Sequence, residues 1–218
     1  MVLSVSSVGL RRRLFLGFVA GALTTAVSLV LFSLEKFEQP KRTFTANSQA
    51  VQASPLTSGS ISVEEALARR RSIREYADEP LTIGQVMQLL WAAQGITNAQ
   101  YGFRTAPSAG GTYPLEIYLI TRASGVVEVE AGIYRYEPRN HTLIKMILGD
   151  FSGQLMAAAL DQEWVGAAPV NFVITIIFER TTGKYGERGV RYVWQETGHA
   201  AQNIYLQAVA LGLGNVVI

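Results

Sequence analysis

The chain has 218 residues, of which 49% are hydrophobic and 17% are charged, and its formal net charge at pH 7 is +2. This length suits one sizeable domain with a shorter appendage. A net charge this small gives no electrostatic reason to expect nucleic-acid binding. The absence of cysteine excludes disulfide bonds, thiolate metal sites and a cysteine nucleophile.

The N-terminal segment, residues 1–34, combines a basic cluster with a long apolar run. Three consecutive arginines, residues 11–13, precede an uncharged stretch from Leu14 to Leu34. At about 1.5 Å per residue, this stretch can cross a hydrocarbon layer of about 30 Å. The basic flank favours an N terminus in the cytoplasm and a domain outside it. We therefore expect a membrane anchor, and the alternative is an export signal of the twin-arginine type.

A polar segment over residues 35–60 separates this apolar run from the rest of the chain. It is rich in Ser, Thr, Gln, Ala and Pro and contains little that could be buried. We expect a flexible linker here. The globular domain is predicted to cover residues 61–218.

Several helices are predicted in the globular part. Capping boxes begin at Ser62 and Thr82, and Gly95 is placed to close the second helix. Asp150 is expected to cap a third helix, and a run rich in Ala and Leu predicts a long helix near the C terminus. The predicted helical ranges are 62–70, 82–95, 150–160 and 192–211.

Strands are predicted between these helices, where β-branched and aromatic residues are concentrated. The predicted strands are 115–121, 132–136, 170–178 and a last one that begins at residue 215. The strand over residues 170–178 is so apolar that we expect it to be covered on both faces. The order of elements indicates an α/β or α+β sheet domain.

Two motifs in this domain are typical of a site for a phosphate-bearing ligand. The segment 69–74 carries four arginines and a serine, and arginine forks match phosphate oxygens. The segment 106–114 is a loop of small residues whose glycines allow the backbone to approach a flat ligand closely. Neither a dinucleotide-binding glycine motif nor a phosphate-binding Walker loop is present.

The order of motifs resembles the nitroreductase superfamily of flavoproteins. Within that superfamily it is similar to the SagB-type dehydrogenase branch, which includes azoline oxidases of thiazole- and oxazole-modified peptides. The resemblance covers roughly residues 62–218. The motifs that carry it are Arg-Arg-Ser-Ile-Arg (70–74), Leu-Leu-Trp-Ala-Ala-Gln-Gly-Ile-Thr (89–97), Arg-Thr-Ala-Pro-Ser-Ala-Gly-Gly-Thr-Tyr-Pro-Leu-Glu (104–116), Lys-Tyr-Gly-Glu-Arg-Gly (184–189) and Glu-Thr-Gly-His-Ala-Ala-Gln-Asn (196–203).

The resemblance implies an α+β fold with a nitroreductase-like mixed sheet flanked by helices, here preceded by the N-terminal apolar helix. It also implies a homodimer that holds two FMN molecules at the subunit interface. In this arrangement the arginine segment binds the phosphate and ribityl groups, and the small-residue loop faces the flavin held by the partner. The cofactor-binding residues that it assigns are Arg70, Arg71, Ser72, Arg74, Pro107, Ser108, Ala109, Gly110 and Gly111.

Lys184 and Tyr185 match a Lys-Tyr pair that peptide-oxidising members of the branch need for catalysis. The resemblance therefore assigns them as catalytic residues. Both side chains can also carry protons, which agrees with that role. The alternative is that they are surface residues of a loop between a strand and a helix. No metal site is predicted, because His199 has no second histidine nearby. We expect His199 to be a hydrogen-bonded interface or core residue and His141 to be structural.

The resemblance also bears on the C-terminal end. In the superfamily, the strand that begins near Asn215 leads into a glycine-containing turn that contacts the flavin, and a further segment embraces the partner subunit. Since the sequence stops at Ile218, we expect the domain to be C-terminally incomplete. A genuinely short protein is the alternative, and FMN affinity and dimer stability would then be reduced.

These observations predict a membrane-anchored or exported FMN-dependent oxidoreductase that transfers hydride through the flavin. Its substrate would be a small molecule or a peptide. An NAD(P)H-dependent nitro or quinone reductase is the second enzymatic reading. A membrane-tethered flavin-binding module without turnover is a reading of a different class, in which Lys184 and Tyr185 would be dispensable. A purely structural membrane protein is the third class, and it would bind no flavin.

Overall fold

A computed structural model describes residues 53–218 of the chain. The predicted anchor and most of the predicted linker therefore lie outside the described residues. Where the linker ends, it is held to the domain: the backbone N–H of Leu56 donates to Gln88 Oε1 at 2.8 Å, and Gln88 Nε2 donates to the Leu56 carbonyl at 3.0 Å. Within residues 53–218, no helix is both long enough and apolar enough to cross a membrane.

The described residues form both helices and strands. The helices are α1 (Val63–Arg69), α2 (Ile83–Gln94), α3 (Ser152–Ala158), α4 (Glu163–Ala167), α5 (Glu179–Tyr185) and α6 (Arg188–Ala210). The strands are β1 (Ile96–Asn98), β2 (Phe103–Arg104), β3 (Leu115–Thr121), β4 (Gly132–Glu137), β5 (Thr142–Leu148) and β6 (Val170–Ile176). A short 3-10 turn (Ala109–Gly111) precedes β3.

Four strands form the main sheet in the order β5-β4-β3-β6. All three pairings are antiparallel. The connections from β3 to β4 and from β4 to β5 return the chain directly to the neighbouring strand. The expected mixed sheet is therefore antiparallel within the described residues. Parallel pairing is confined there to two isolated bridges, Ser72 with Asn215 and Leu81 with Val126.

Helices cover both faces of the sheet, which gives the predicted α+β architecture. On β3, Ile117 and Leu119 pack with Leu90 of α2 and Val193 of α6 in the main core. The neighbouring position Ile120 points to the opposite face and packs in a second cluster with residues of α3 and α4. This alternation follows from the two-residue period of a strand. Burial of both apolar faces is the main term that stabilises the domain.

The predicted α1 and α2 are confirmed. Thr82 and Gln85 form a reciprocal capping box, whereas Ser62 makes only one half of a box by accepting from the Glu65 N–H. The predicted bounds of β3 coincide with the observed ones.

The third and fourth predicted helices are offset from their predictions. Asp150 accepts from the Ser152 backbone N–H at 2.9 Å, but Phe151 occupies the capping position and α3 ends at Ala158. The long α6 begins at Arg188, whereas the prediction began at residue 192. The first turn of the helix has no apolar stripe, so the sequence did not indicate it.

The strand predictions near the C terminus need correction. β6 ends at Ile176, because Phe178 already has helical dihedral angles and leads into α5. β6 is one of the two edge strands of the described sheet and is only partly buried, so it is not covered on both faces along its length. Asn215 forms a single bridge with Ser72 and no strand.

Candidate functional site

The arginine segment follows α1 as extended backbone and lies beside the C-terminal end of the chain. The Ile73 N–H donates to the Asn215 carbonyl at 2.9 Å. Gly214 allows this close approach, because a Cβ at that position would lie 2.8 Å from Ile73 Cγ2. The segment is thus held against the residues that follow α6.

The predicted phosphate ligands present their polar groups at the surface. Arg71, Ser72 and Arg74 are exposed, and Arg70 is half-buried. No described residue forms an ion pair with any of the three arginines, although Arg69 pairs with Glu65 at 2.8 Å. Uncompensated guanidinium groups next to an exposed serine form a suitable site for an anion.

Two of these arginines lie over aromatic rings. The Arg70 guanidinium carbon is 5.2 Å from the centre of the Tyr205 ring, and that of Arg74 is 5.4 Å from the Trp164 ring. A cation–π contact restricts the side chain without neutralising its charge. Both guanidinium groups therefore keep their capacity to bind an anion.

The small-residue loop turns through two glycines with left-handed backbone. Gly110 has φ of 62° and Gly111 has φ of 66°, values that strain other residues. The Ser108 hydroxyl accepts from the Tyr113 N–H at 2.9 Å and closes the loop. No atom lies within 4 Å of a Cβ placed on Gly111, so the backbone there is open to a ligand.

The structure brings the predicted catalytic pair to this loop. Lys184 and Tyr185 form the last turn of α5 rather than a connecting loop. Lys184 is exposed and Tyr185 is half-buried, so the alternative that they are surface residues stands. Lys184 Nζ donates to the Gly110 carbonyl at 3.3 Å. A Cβ on Gly110 would lie 2.5 Å from the Tyr185 hydroxyl and 2.6 Å from Lys184 Nζ, so both side chains would have to shift for any other residue.

Helix α5 is fixed at its start by an ion pair with the sheet. Arg180 donates to the Tyr113 carbonyl at 3.0 Å and to Glu116 Oε1 at 2.6 Å. Gly189 at the start of α6 packs against the backbone of α5, where a Cβ would lie 2.9 Å from Thr182 Cα. These contacts set the position of Lys184 and Tyr185 over the loop.

A buried polar cluster lies beneath the loop, and the sequence did not predict it. Glu196 of α6 is 2% exposed, and its neighbours are Gln94, Arg104 and Ser108. Arg104 donates to Gln94 Oε1 at 2.9 Å and covers the Tyr113 ring, with its guanidinium carbon 4.4 Å from the ring centre. Gln94 Nε2 and Glu196 Oε1 make no hydrogen bond within the described structure.

Burial dominates the protonation of this cluster. It raises the pKa of Glu196 above its ordinary value, although Ser108, Arg104 and Gln94 act in the opposite direction. Burial also lowers the pKa of Arg104. The sequence did contain one signal for the burial of Glu196. It lies three and four positions from the apolar residues Val193 and Ala200, on the same helical face, and both of these are buried in the structure.

The two histidines, whose roles were predicted, have different surroundings. His199 is exposed on α6, so the core alternative is wrong for it. His141 lies in the turn between β4 and β5 with φ of 49°, and its Nδ1 is 2.8 Å from the Tyr136 hydroxyl. The structural role predicted for His141 is confirmed by this contact.

The arginine segment and the loop lie at different places along α6. Ser72 contacts Tyr205, whereas Ser108 lies beside Glu196, and these two helix residues are nine positions apart. At the helical rise this corresponds to about 14 Å. No hydrogen bond or ion pair joins the two groups within the described part of the chain. The two groups are therefore separate within one chain: unpaired guanidinium groups lie at one end of α6, and Lys184 and Tyr185 lie at the other.

Comparison with known proteins gives a consistent result. The family model described as the nitroreductase family matches residues 67–218. A nitroreductase-family protein of Methanocaldococcus jannaschii is 47% identical over 158 residues, which are 72% of this chain and 78% of that protein. The microcin B17-processing protein McbC of Escherichia coli is 34% identical over 119 residues, 52% of this chain and 43% of McbC. The chain thus spans less than half the length of McbC.

Two solved structures are also similar. A nitroreductase-family protein of Ralstonia eutropha has a TM-score of 0.62 and 30% identity, with 75% of this chain and 71% of that chain covered. The Escherichia coli microcin synthetase McbBCD complex, solved with a truncated pro-microcin B17 bound, has a TM-score of 0.54 and 27% identity. That match covers 93% of this chain and 72% of the matched chain.

Proposed function

Because this chain belongs to the nitroreductase family of oxidoreductases, we propose that it is an FMN-dependent enzyme of the SagB-type branch. The similarity to McbC supports this branch. The observation that carries the proposal is the contact of Lys184 with the Gly110 carbonyl and the placing of Tyr185 over the same glycine. Residues 74 positions apart in sequence thereby form one reactive surface.

The residues present fit FMN. Its phosphate requires fixed cations and hydroxyl donors, and Arg70, Ser72 and Arg74 offer them without competing acidic partners among residues 53–218. Its flat ring requires backbone that can approach closely, and Gly111 is open on the side where a Cβ would project. When bound, FMN supplies the capacity to accept and return a hydride.

The chain's own residues would handle the accompanying proton. Lys184 Nζ and the Tyr185 hydroxyl lie together at the loop, where either can give a proton to a substrate atom or take one from it. The T-shaped contact between the Tyr185 and Tyr192 rings, with centres 5.2 Å apart, limits the movement of the phenol. The pair is thus positioned before substrate binds.

The homodimer that the family resemblance implies is part of this proposal. An arginine segment and a loop about 14 Å apart along one helix can serve one cofactor when each subunit contributes a different half. The proposed substrate is a peptide. The structurally similar McbBCD complex was solved with a peptide, truncated pro-microcin B17, bound to it. A small molecule remains the second substrate class. The membrane anchor and a domain outside the cytoplasm stay predictions from residues 1–34.

The test is to purify the full chain, record its visible absorbance and identify any flavin released by acid. We expect FMN. Reduction of the bound flavin by NADH, by NADPH and by a thiazoline-containing peptide is then followed in a stopped-flow instrument. Lys184→Ala and Tyr185→Phe are expected to keep FMN bound and to slow flavin reduction by the peptide about 100-fold, the usual contribution of a positioned proton carrier.

Matched controls are Lys145→Ala and Tyr101→Phe. Lys145 is an exposed lysine that pairs with Glu130, and Tyr101 is an exposed tyrosine between β1 and β2. Neither should alter flavin reduction. Reduction by NADPH alone, unaffected by the peptide, would favour a nitro or quinone reductase. Bound FMN that no donor reduces would favour the flavin-binding module, and a colourless protein would refute the proposal.

A further inference from the structure

The Tyr205 hydroxyl joins two segments that are far apart in sequence. Tyr205 lies on α6 and is 9% exposed. Its oxygen accepts from the Val217 backbone N–H at 2.9 Å and lies 3.0 Å from the Ser72 hydroxyl oxygen. The same residue carries Arg70 over its ring. One buried side chain therefore contacts two of the predicted phosphate ligands.

The direction of these hydrogen bonds matters for Ser72. A phenol has one proton to donate, and its oxygen already accepts from Val217. Donation of the phenol proton to Ser72 Oγ leaves the Ser72 hydroxyl proton free. Since Ser72 is exposed, that proton can point outward and be donated to an anion.

Arg70 is oriented by the same ring. Its guanidinium lies over Tyr205 and has no acidic partner among the described residues. The segment has few other anchors: the main ones are the backbone hydrogen bond from Ile73 to Asn215 and the packing of Ile73 on Gly214. Removing the Tyr205 hydroxyl would leave this backbone contact and the ring in place.

We propose that Tyr205 is a positioning residue that prepares Ser72 and Arg70 for the phosphate of FMN and thereby sets the preference for FMN over riboflavin. This inference rests on the proposed function. Riboflavin has the same ring and ribityl chain but no phosphate. A residue that acts through the phosphate ligands changes the affinity for FMN and leaves the affinity for riboflavin unchanged.

The experiment uses the full chain freed of flavin and measures the dissociation constants of FMN and riboflavin by flavin fluorescence. Tyr205→Phe keeps the ring under Arg70 and removes only the hydroxyl. We expect FMN affinity to fall about tenfold and riboflavin affinity to change by less than about twofold. Ser72→Ala, at an exposed position, should give the same FMN-specific loss. The double variant should lose no more than Ser72→Ala alone, because the hydroxyl acts through Ser72.

The matched control is Tyr134→Phe. Tyr134 is 3% exposed and its hydroxyl donates to the Glu130 carbonyl at 2.8 Å, away from the arginine segment. It should change neither affinity. An equal loss for FMN and riboflavin in Tyr205→Phe, or unchanged FMN affinity in Ser72→Ala, would overturn the inference and leave the proposed function standing. Failure of the unaltered chain to bind FMN would overturn both.

Discussion

The two ends of the candidate site are built differently. At the Tyr205 end, charged side chains lie at the surface and are held by two aromatic rings and a few hydrogen bonds. At the Glu196 end, the loop rests on a buried polar cluster, and Lys184 and Tyr185 are fixed above it by α5. The first end suits binding of an anion, and the second suits chemistry that needs fixed geometry.

This difference has an energetic basis. Exposed arginines keep their hydration and cost little to hold, so they can be concentrated without destabilising the fold. Buried groups such as Glu196 and Arg104 lose hydration and require close partners. Substitutions at the Tyr205 end should therefore change binding more than stability. Substitutions at the Glu196 end should change turnover and stability together.

The largest expected effect comes from removing charge at the Tyr205 end. In the Arg70→Ala/Arg74→Ala double variant, each lost charge-assisted contact costs about 1.5–3 kcal/mol, so FMN affinity should fall more than 100-fold. The melting temperature should fall by only a few degrees, because neither guanidinium has an ion-pair partner among the described residues and each loses only a cation–π contact. Flavin fluorescence titration and thermal unfolding measure the two quantities.

Arg69→Ala is the control for this prediction. Arg69 belongs to the same cluster, but its charge is already paired with exposed Glu65. FMN affinity should stay within about threefold of the unaltered chain. A double variant that also stays within that range would show that the phosphate binds elsewhere. The Tyr205 end would then no longer differ from the Glu196 end as a site for anions.

The next effect is expected at Gly110. Gly110→Ala introduces strain at φ of 62° and places a Cβ against Lys184 Nζ and the Tyr185 hydroxyl, which must move. We expect flavin reduction by substrate to slow about tenfold, since small displacements of reacting groups carry large rate penalties. The rate is measured by stopped-flow absorbance.

Gly111→Ala separates strain from displacement. Its φ of 66° imposes nearly the same strain, about 1–2 kcal/mol, but its Cβ would meet no atom within 4 Å. The two variants should lose similar thermal stability, a few degrees. Gly111→Ala should also weaken FMN binding, because its Cβ enters the space left open for the flavin. With FMN saturating, only Gly110→Ala should show the tenfold slower flavin reduction. Equal rates in both variants would mean that the position of Lys184 and Tyr185 is not critical.

Local sequence signals predicted the elements whose formation depends on their own residues. The Thr82–Gln85 box set the start of α2, and the apolar run of β3 set both of its ends. The contact of Lys184 and Tyr185 with the loop at Gly110 was not predicted, because it joins residues 74 positions apart in the sequence.

Elements defined by tertiary packing were missed. Helix α5, Glu-Arg-Thr-Thr-Gly-Lys-Tyr, has no apolar stripe, and its position depends on Arg180 and on the contact with Gly189. Strand β5 was missed because its burial does not alternate along its length, as is common at a sheet edge. The environment of Glu196 depends on groups from α2, β2 and the loop, which no local pattern can bring together.

The smallest expected effect concerns that buried carboxyl. Burial raises the pKa of Glu196 above its ordinary value of 4.5, so the folded state binds a proton more readily than the unfolded state. The free energy of unfolding that this group contributes is present below pH 4.5 and is lost as pH rises through the folded-state pKa. Glu196→Gln removes this dependence. The variant should therefore be more stable than the unaltered chain at pH 8. Each kcal/mol gained in the free energy of unfolding raises the melting temperature by roughly 2–4 °C. The difference between the two proteins should vanish near pH 4.

The control for this last effect is Glu79→Gln, which removes a carboxylate at an exposed position. Its melting temperature should follow that of the unaltered chain from pH 4 to pH 8. If Glu196→Gln is instead less stable at pH 8, the carboxylate must be charged and stabilised by Arg104. The Glu196 end would then be held by an ion pair, and its contrast with the exposed, unpaired arginines at the Tyr205 end would be one of pairing rather than of protonation.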